Sequence, residues 1–442
     1  MNRQKFSDAH SALRYFVLGL VLVAFGAAAI KVVRRAPAAQ FWPGEIAPAS
    51  HVTLGVRGDI PLRSEFVSKR KLVHTHAASL LELGDGRIRA FWYAGSDEGT
   101  QDVTIETAVF DPRVGRWSPE QMVASRETTQ RDLFRYVKKL GNPVAARATD
   151  GALSLFYVTV SLGGWAGSSI TKITSHYDGE TWSRAQRIIT SPFFNLSTLV
   201  KSRAFYYADG TMGLPIHHEF LGRFGELLRL DATNDVIDLV RLSAGRSSLQ
   251  PVMMVEDANR ALVLMRYAGK TRPNRVISTT TGDGGRSWTP PVKSQLSNSN
   301  AALTGLVLPD GRMLAVLNDS EDSRNALTLV VSNDAGSSWK TAHKVEDKSA
   351  AEWQGLDDAH YSAAIETLAR DTNGAATDAG GYAESVRRQM HSDKGWSFEF
   401  SYPSLIRTSR GEFHLVYTWN EAFIKHVQFS QVWLDQRLAE IK

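Results

Sequence analysis

The sequence of 442 residues contains no cysteine, so disulfide bridges and thiolate metal sites are excluded. It also contains no phosphate-binding glycine loop, no Gly-x-Gly-x-x-Gly dinucleotide fingerprint and no Gly-x-Ser-x-Gly nucleophile elbow. The motifs typical of nucleotide-dependent enzymes and of α/β-hydrolases are therefore missing. We expect neither a cofactor nor a metal.

The composition is that of a globular protein, with 22% charged and 43% hydrophobic residues. The formal net charge is +5 at pH 7, but part of this excess lies in the N-terminal segment. The charge is therefore weak evidence for nucleic-acid binding, and we expect no nucleic acid among the partners. An acidic sugar or another polyanionic substrate fits the same charge.

The N-terminal segment contains an uncharged apolar run from Tyr15 to Ile30, with basic residues on both sides. The run approaches the roughly 17–25 residues that a membrane-spanning helix needs. It predicts either a single-pass anchor in the inner membrane, with the rest of the chain in the periplasm, or a cleaved secretory signal. The basic residues after the run favour the anchor. We assign residues 1–35 to this segment and the Ala- and Pro-rich residues 36–50 to a linker.

A short turn motif recurs along the chain. Residues 332–339 read Ser-x-Asp-x-Gly-x-Ser-Trp, residues 281–288 repeat the motif with Thr in the first place, and residues 175–182 are a weaker copy. The Asp suits a tight turn, and the Gly suits the positive φ that such a turn requires. Trp288 and Trp339 lie 51 residues apart, which is the size of one four-stranded propeller blade. We interpret these turns as structural parts of the outer strands.

Six hairpins, each made of an apolar run, a tight turn and a second apolar run, follow one another along the chain. They predict an all-β fold, a six-bladed β-propeller over residues 51–432. A seven-bladed propeller and a β-sandwich are the alternatives, and the even repeat argues against the sandwich. Phe423–Phe429 should close the last blade, together with a strand from residues 51–57.

The link between the fifth and the sixth blade is unusually long, at about residues 341–398. Two parts of it, His360–Arg370 and Ala383–Met390, have some helical character. A long segment of this kind is typical of an insertion with a functional role. We therefore expect a partly helical insertion beside the functional site.

The inner strands of a propeller line a central channel, so polar residues at their starts converge on one opening. In this chain those starts carry His74, His76, Asn142, Arg203, Gln250, Asn300 and Tyr402. The ends of the second strands carry Asp97, Glu98, Asp102, His217, His218, Glu219, Arg266, Asn318, Asp319, Arg324, Trp419, Asn420 and Glu421. The set predicts a polar carbohydrate-binding site at the channel mouth. Adjacent residues of a strand point to opposite faces, which argues against a metal shared by His217 and His218.

The turn motifs resemble the Asp boxes of the sialidase superfamily, whose BNR-repeat members are six-bladed propellers. Residues 76–103 and 400–417 are similar to the opening and the last blade of bacterial sialidase-like proteins. The resemblance covers roughly residues 65–430. It implies a glycoside hydrolase.

The resemblance also implies roles for individual residues. Tyr402 corresponds to the tyrosine nucleophile of the family, and Glu219 to the carboxylate that activates it. Asp97 or Asp102 lies where the acid/base carboxylate is expected. Arg266, and less closely Arg324, resemble the arginines that bind the substrate carboxylate. The predicted substrate-binding residues are His74, His76, Asn142, His217, Gln250, Arg266, Asn300 and Arg324.

The chain departs from the family on its first inner strand. Sialidases have Arg-Ile-Pro there, whereas this chain has His-Thr-His-Ala at residues 74–77. An imidazole cannot reproduce the two-pronged contact of a guanidinium with a carboxylate. The difference bears on the substrate and not on the propeller fold.

Three functions fit these residues. The first is a retaining exo-glycosidase on an acidic sugar or exopolysaccharide, in which Tyr402 attacks the anomeric carbon. The second is a polysaccharide lyase on a uronate polymer, in which an arginine neutralises the carboxylate and His76, His217 or Tyr402 abstracts the neighbouring proton. The third is a non-catalytic carbohydrate-binding propeller. We take the first as the main hypothesis.

Overall fold

The computed structural model describes residues 12–26, 37–44, 60–148, 150–191, 195–375, 377–391 and 395–440. Their strands form six separate antiparallel sheets. Four sheets consist entirely of consecutive strands, and the other two each take one strand from near the N-terminus. The arrangement is the six-bladed β-propeller that the repeat spacing predicts.

The described chain begins with helix α1 over residues 12–26, followed by β1 (Phe41–Trp42) and β2 (Arg63–Phe66). The first blade contains β3 (His74–Glu82), β4 (Ile88–Gly95), β5 (Thr104–Asp111), β6 (Arg116–Trp117) and β7 (Gln121–Ser125). After α2 (Arg126–Leu133), the second blade contains β8 (Lys139–Arg147), β9 (Leu153–Val160), β10 (Ser168–Ser175) and β11 (Gln186–Arg187). The third contains β12 (Leu199–Val200), β13 (Phe205–Tyr207), β14 (Met212–His218), β15 (Phe224–Leu230) and β16 (Val236–Arg241).

The second half of the propeller repeats the four-stranded pattern. The fourth blade contains β17 (Ser248–Val255), β18 (Ala261–Tyr267), β19 (Arg275–Thr281) and β20 (Val292–Ser297). The fifth contains β21 (Thr304–Val307), β22 (Met313–Leu317), β23 (Ala326–Ser332) and β24 (Lys340–Asp347). After helices α3 (Asp358–Asn373) and α4 (Ala379–Met390), the sixth contains β25 (Phe400–Arg407), β26 (Glu412–Trp419) and β27 (Phe423–Ser430), and helix α5 (Gln431–Glu440) follows.

Tight turns join consecutive strands of the blades, as the Asp-Gly pairs predict. Between β21 and β22, Gly311 has φ +87°, and Asp310 accepts a hydrogen bond from the Arg312 N–H at 3.1 Å. Residues with a Cβ are strained at this φ, which explains the glycine. The corresponding glycines with positive φ are Gly86, Gly151, Gly210 and Gly411.

The Asp-box turns join third strands to fourth strands, away from the channel. In the turn after β23, Asp334 accepts hydrogen bonds from the Ser338 N–H at 2.8 Å and the Ser332 hydroxyl at 2.7 Å. Hydrogen bonds from Ser338 and Ser332 lower the pKa of Asp334 to about 2. The Trp339 indole N–H donates to the Gly336 carbonyl at 3.1 Å, and this side chain lies in the core between blades. The contacts close the turn on itself, which fits its interpretation as a structural element.

The ring is closed by β2, which pairs with β27 in antiparallel fashion. Arg63 lies opposite Gln428, and Phe66 opposite Lys425. The closing strand predicted at residues 51–57 falls outside the described residues, and the strand observed begins later. Pairing an N-terminal strand with the C-terminal blade joins the two ends of the chain and covers a sheet edge.

Part of the segment predicted to be a linker belongs to the propeller. β1 pairs with β13 of the third blade, and Phe41 lies opposite Tyr207. The Phe41 ring is buried, with its centroid 5.7 Å from that of Phe205 and 5.4 Å from that of Tyr207. The Ala- and Pro-rich flanks hide this strand in the sequence, because only the aromatic side chain provides apolar surface to bury.

The insertion between the fifth and the sixth blade is helical, as predicted, but it starts later because residues 340–347 form β24. Tyr361 and Ile365 of α3 and Val386 of α4 are fully buried in one core cluster with Phe66 and the strands of the last two blades. Neither helix contributes a residue to the central cavity. The helices therefore stabilise the flank of the propeller and do not lie at the site, contrary to the prediction.

Helix α1 covers residues 12–26, and residues 27–35 of the predicted anchor lie outside the described residues. Among the helices that the structure describes, none has the length and apolar character needed to cross a membrane. The inner-membrane location and the periplasmic orientation stay predictions.

A chain of hydrogen bonds crosses the buried interface between the first and the sixth blade. The Trp117 indole N–H donates to His426 Nδ1 at 3.2 Å, and His426 Nε2 lies 2.9 Å from His414 Nδ1. Because indole is only a donor, His426 Nδ1 is an acceptor and its Nε2 carries the proton. Glu412 lies 3.6 Å from His414 Nε2, and Glu65 lies 3.8 Å from His426 Nδ1. Burial lowers the pKa of both histidines, that of His414 to about 4, so both rings are neutral near pH 7.

We expect the stability of the propeller to fall as the pH drops from about 6.5 to about 4. The folded-state pKa of both histidines lies below the ordinary 6.5, so the unfolded chain binds more protons in this range and acid favours unfolding. For His414 this loss reaches about 3 kcal/mol below the range, since one pKa unit corresponds to about 1.4 kcal/mol. Urea unfolding at pH 7 and pH 5 measures the effect.

The variant His414→Gln should lose part of this pH dependence of the free energy of unfolding. The control His360→Gln, at an exposed histidine of α3, should retain it. Identical pH dependence in the wild type and in His414→Gln would contradict the neutral state of the network.

Candidate functional site

Each blade has one residue in the left-handed conformation on, or just before, its inner strand. The φ values lie between +46° and +59° at Ala77, Asn142, Ser197, Gln250, Asn300 and Tyr402. At four of these positions, in β3, β8, β17 and β25, the register with the second strand shifts in a β-bulge. A bulge changes the direction of a side chain. Asn142, Gln250 and Tyr402 consequently point into one cavity, and Asn300, which has the same left-handed conformation just before β21, joins them there.

The cavity has a volume of about 340 Å³ and receives residues from all six blades. Its lining consists of His76, Glu98, Asn142, Trp165, Leu199, His217, Glu219, Arg223, Leu249, Gln250, Arg266, Asn300, Arg324, Tyr402 and Glu421. Most of these side chains are polar or charged. The volume and the lining suit a small, highly polar ligand.

Arg266, near the end of β18, is the centre of the hydrogen-bond network in the cavity. Its Nε donates to Asn300 Oδ1 at 2.8 Å, and its Nη1 lies 3.3 Å from both Gln250 Oε1 and the Tyr402 phenol oxygen. Three acceptors hold the planar guanidinium in one orientation. The Nη2 group has no hydrogen-bond partner among the described residues, so it is available to a ligand.

Arg324 is another cation that lines the cavity. Its Nη1 donates to Glu399 Oε1 at 2.8 Å, and its Nη2 donates to the Asn300 carbonyl at 2.9 Å. Arg266 binds the side chain of Asn300 and Arg324 binds its backbone, so Asn300 connects the two guanidinium groups. A pair of fixed guanidinium groups is suited to a carboxylate.

His76 is buried beside Tyr402, and their ring centroids are 4.2 Å apart. Burial lowers the pKa of His76 well below its ordinary value, and the positive charges of Arg324 and Arg266 act in the same direction. The imidazole is therefore neutral at pH 7, which is the form that a general base must have. His74 does not line the cavity but lies behind it, with its ring 5.4 Å from that of His76.

Glu219 follows β14 and is held at the cavity by two contacts. His217 Nε2 lies 3.3 Å from Glu219 Oε1, and the Glu219 N–H donates to the Ser197 hydroxyl at 2.6 Å. Burial raises the pKa of Glu219, but the hydrogen bond from His217 and the charges of His217, Arg266 and Arg223 outweigh it, and the net shift is downward. Glu219 is therefore ionised at neutral pH.

Glu421 is a carboxyl group of the cavity with a raised pKa. It occupies the tight turn between β26 and β27, with φ +51°. Burial, together with the negative charges of Glu399 and Glu98, raises the pKa of Glu421 to about 7. Its carboxyl group has no hydrogen-bond partner among the described residues. A carboxyl group in this state is a candidate proton donor.

The structure does not bring Asp97 or Asp102 to the cavity wall. Asp102 accepts hydrogen bonds from the Ser96 N–H at 2.8 Å and from the Thr100 hydroxyl at 2.6 Å, so it stabilises its own exposed loop. These bonds outweigh the effect of burial and lower the pKa of Asp102. The carboxylate of this loop that does line the cavity is Glu98.

Six lining residues were assigned no role in the sequence-based prediction, and two of them, Leu199 and Leu249, are apolar. Glu98 and Glu421 were among the polar strand ends, but no family motif points to them. Trp165 lies in the loop between β9 and β10, and its indole N–H donates to Glu98 Oε1 at 3.1 Å. Arg223 lies just before β15. Conversely, Arg203 does not line the cavity, because the inner strand of the third blade begins earlier than predicted, at Leu199.

The described part of the chain contains no group of three His, Asp or Glu side chains arranged to hold a metal ion. His217 and His218 face opposite sides of β14, as predicted: His217 faces Glu219, whereas the His218 ring stacks on Phe224 at 4.7 Å.

The fold and the cavity define a six-bladed propeller of the sialidase type. The chain belongs to the family of BNR repeat-like domains, which matches residues 86–415. A search of curated proteins finds no significant sequence match.

Several solved structures have the same fold. A Hadza microbial sialidase has a TM-score of 0.58 and 14% identity, over 81% of this chain and 66% of that chain. A protein of unknown function from Dyadobacter fermentans has a TM-score of 0.60 and 10% identity, over 84% of this chain and 99% of that chain. The intramolecular trans-sialidase from Ruminococcus gnavus, in complex with oseltamivir carboxylate, has a TM-score of 0.54 and 12% identity, over 81% and 95%. At these identities the likeness concerns the fold alone.

Proposed function

We propose that the protein is a sialidase-like glycoside hydrolase that acts on an acidic sugar or exopolysaccharide, with Tyr402 as the nucleophile. The main support is the contact of 3.3 Å between Arg266 Nη1 and the Tyr402 phenol oxygen. It places a fixed positive charge beside the atom that would attack. The cavity around this contact also holds an ionised carboxylate, Glu219, and a carboxyl group that titrates near neutrality, Glu421.

The acid group of the sugar would bind between Arg266 and Arg324, where Arg266 Nη2 has no partner in the part of the chain that the structure describes. Amide side chains at Asn142 and Gln250 supply donors and acceptors for hydroxyl groups of the sugar. The positive groups then hold the substrate close to Tyr402. This orientation accounts for a large part of the rate enhancement that such a site can give.

In the first step the Tyr402 oxygen attacks the anomeric carbon while the bond to the leaving oxygen breaks. The phenol proton moves to Glu219, and Glu421 gives its proton to the leaving oxygen. A neutral phenol avoids the repulsion that a carboxylate nucleophile would meet beside the acid group of the sugar. In the second step water attacks, Glu421 takes a proton from it, and the Tyr402 oxygen leaves and recovers its proton from Glu219.

The proposal is tested with sialosides and with acidic exopolysaccharides. Retention of configuration, followed by proton NMR of the first product, would support the tyrosine nucleophile. Hydrolysis of none of these substrates, together with measurable binding of free acidic sugars, would replace the hydrolase by a carbohydrate-binding propeller.

A polysaccharide lyase is the second candidate, and the neutral His76 favours it. The centroid of its ring lies 4.2 Å from that of Tyr402. His76 as the base and Tyr402 as the acid would therefore lie side by side, near the two arginines. In this reaction the base removes the proton next to the uronate carboxylate, and the leaving oxygen departs with formation of a C=C bond. Absorbance of an unsaturated uronate in the product would identify this reaction.

We expect Glu421→Gln to reduce kcat by about 10²–10⁴-fold on a natural glycoside. Because the pKa of Glu421 is about 7, its protonated fraction falls as the pH rises through 7, and the rate should decline on the alkaline side. The variant should lose this alkaline decline. The loss in kcat should be smaller on an aryl glycoside, whose leaving oxygen needs less protonation.

The matched control is Asp102→Asn. It should retain both the rate and the alkaline decline, since Asp102 is engaged in its own loop. If Asp102→Asn removes the decline and Glu421→Gln does not, the acid is Asp102, one of the two residues that the family resemblance implies.

A further inference from the structure

Lys201, just after β12 in the third blade, is a buried lysine. Only 8% of the residue is exposed. The ammonium donates to the Pro403 carbonyl at 2.6 Å and to the Leu303 carbonyl at 3.2 Å. Within the described residues no carboxylate lies within ion-pair distance of it. A buried ammonium without a counter-ion is costly and calls for an explanation.

The two carbonyl groups belong to the segments that present Tyr402 and Asn300 to the cavity. Pro403 directly follows Tyr402, and Leu303 follows Asn300 by three residues. Tyr402 has φ +53°, which is unfavourable for a tyrosine, and a following proline restricts its backbone further. Such a conformation persists only where surrounding contacts hold it.

We infer that Lys201 is a positioning residue for Tyr402, since its ammonium connects the third blade to the segment after Asn300 in the fifth blade and to the bulge at Tyr402 in the sixth. The charge-assisted bond to the Pro403 carbonyl fixes the backbone directly after Tyr402 and so orients the phenol. The bond to the Leu303 carbonyl fixes the segment after Asn300. The Asn300 side chain in turn accepts a hydrogen bond from Arg266. The phenol oxygen and the guanidinium are thereby held at their contact distance.

The positive charge of Lys201, like its hydrogen bonds, suits a site for an anionic sugar. Burial, followed by the charge of Arg266, lowers the pKa of Lys201 to about 7. The protonated ammonium adds a further positive charge near Arg266. An anionic sugar in the cavity would favour this protonated form.

The test compares Lys201→Met with Lys172→Met. Lys172 is also 8% exposed, and its ammonium donates to the Thr233 carbonyl at 2.5 Å, away from the cavity. Both proteins are labelled with 3-fluorotyrosine, and the Tyr402 resonance is assigned by its absence in Tyr402→Phe. We expect a changed shift or linewidth for Tyr402 in Lys201→Met and no change in Lys172→Met. An unchanged Tyr402 resonance in a folded Lys201→Met protein would overturn the inference.

The inference rests on the proposed function only for its kinetic part. With a substrate in hand, kcat of Lys201→Met should fall on the order of 100-fold with KM within a few-fold, since misplacement by about 1 Å has an effect of this size. If the wild type turns over no acidic sugar, the proposed function fails, and the fluorine resonance still decides the role of Lys201. If Lys201→Met does not fold, Lys201→Gln, which keeps one donor for Pro403, should show a smaller change in the same resonance, and no change would overturn the inference.

Discussion

Replacement of Tyr402 by phenylalanine should reduce kcat by about 10³-fold or more while the affinity for the acidic sugar changes little. The variant loses the oxygen that attacks the anomeric carbon, whereas Arg324 and the amide groups that bind the sugar remain. Single-turnover kinetics measures the loss, and calorimetry with a non-hydrolysable sugar measures the affinity. In the wild type, a slowly hydrolysed fluorinated sugar should add its mass to the tryptic peptide 395–407, which contains Tyr402.

The matched control is Tyr361→Phe. Tyr361 lies in α3, and its hydroxyl donates to the Ser397 carbonyl at 2.7 Å, so its removal affects the insertion and not the cavity. This variant should keep the wild-type rate. Full activity of Tyr402→Phe would place the chemistry elsewhere, and formation of unsaturated uronate without a covalent adduct would favour the lyase.

Replacement of Glu346 by alanine should reduce the free energy of unfolding by about 3–5 kcal/mol. Glu346, on β24 of the fifth blade, accepts hydrogen bonds from the Tyr417 hydroxyl at 2.6 Å and from Lys425 Nζ at 2.7 Å, both in the sixth blade. The Lys425 and Glu346 side chains are 9% and 7% exposed. The alanine variant leaves a buried ammonium and a buried hydroxyl without their acceptor, and urea unfolding measures the effect.

The control on the same strand is Lys344→Met, at an ion pair whose lysine is 54% exposed. Its effect should stay within about 0.5 kcal/mol, because exposed pairs contribute little. The triple variant Glu346→Leu, Lys425→Met and Tyr417→Phe should recover most of the stability, since apolar groups replace the whole network. If Glu346→Ala costs no more than Lys344→Met, this interface does not depend on the ion pair.

The blade repeat could be predicted from the sequence because its determinants are local. An apolar run, a glycine with positive φ and a second apolar run define a hairpin without information from elsewhere in the chain. The Asp-box turns are also closed by residues of their own segment, such as Asp334, Ser338 and Trp339. The helical character of the insertion could also be predicted, because the pattern of a helix lies within its own segment.

The sequence does not predict β1 or β2, because each is a short segment that forms a strand only by pairing with a distant part of the chain. β1 is only two residues long, and it is a strand because Tyr207 of the third blade pairs with Phe41. The closing strand β2 likewise depends on β27, more than 300 residues further along the chain. Neither segment has enough alternating apolar residues to be recognised without its partner.

The sequence by itself determined the six-bladed fold and nine of the residues that meet in the cavity, because polar side chains at strand ends of a repeat converge by topology. The tertiary structure decided what those residues do to one another. Arg266 and Tyr402 are 136 residues apart and touch because the ring closes. The raised pKa of Glu421 and the hydrogen bonds of the buried Lys201 likewise depend on charges and carbonyl groups contributed by other blades. Electrostatic effects of this kind depend on distance in space and not on distance along the chain.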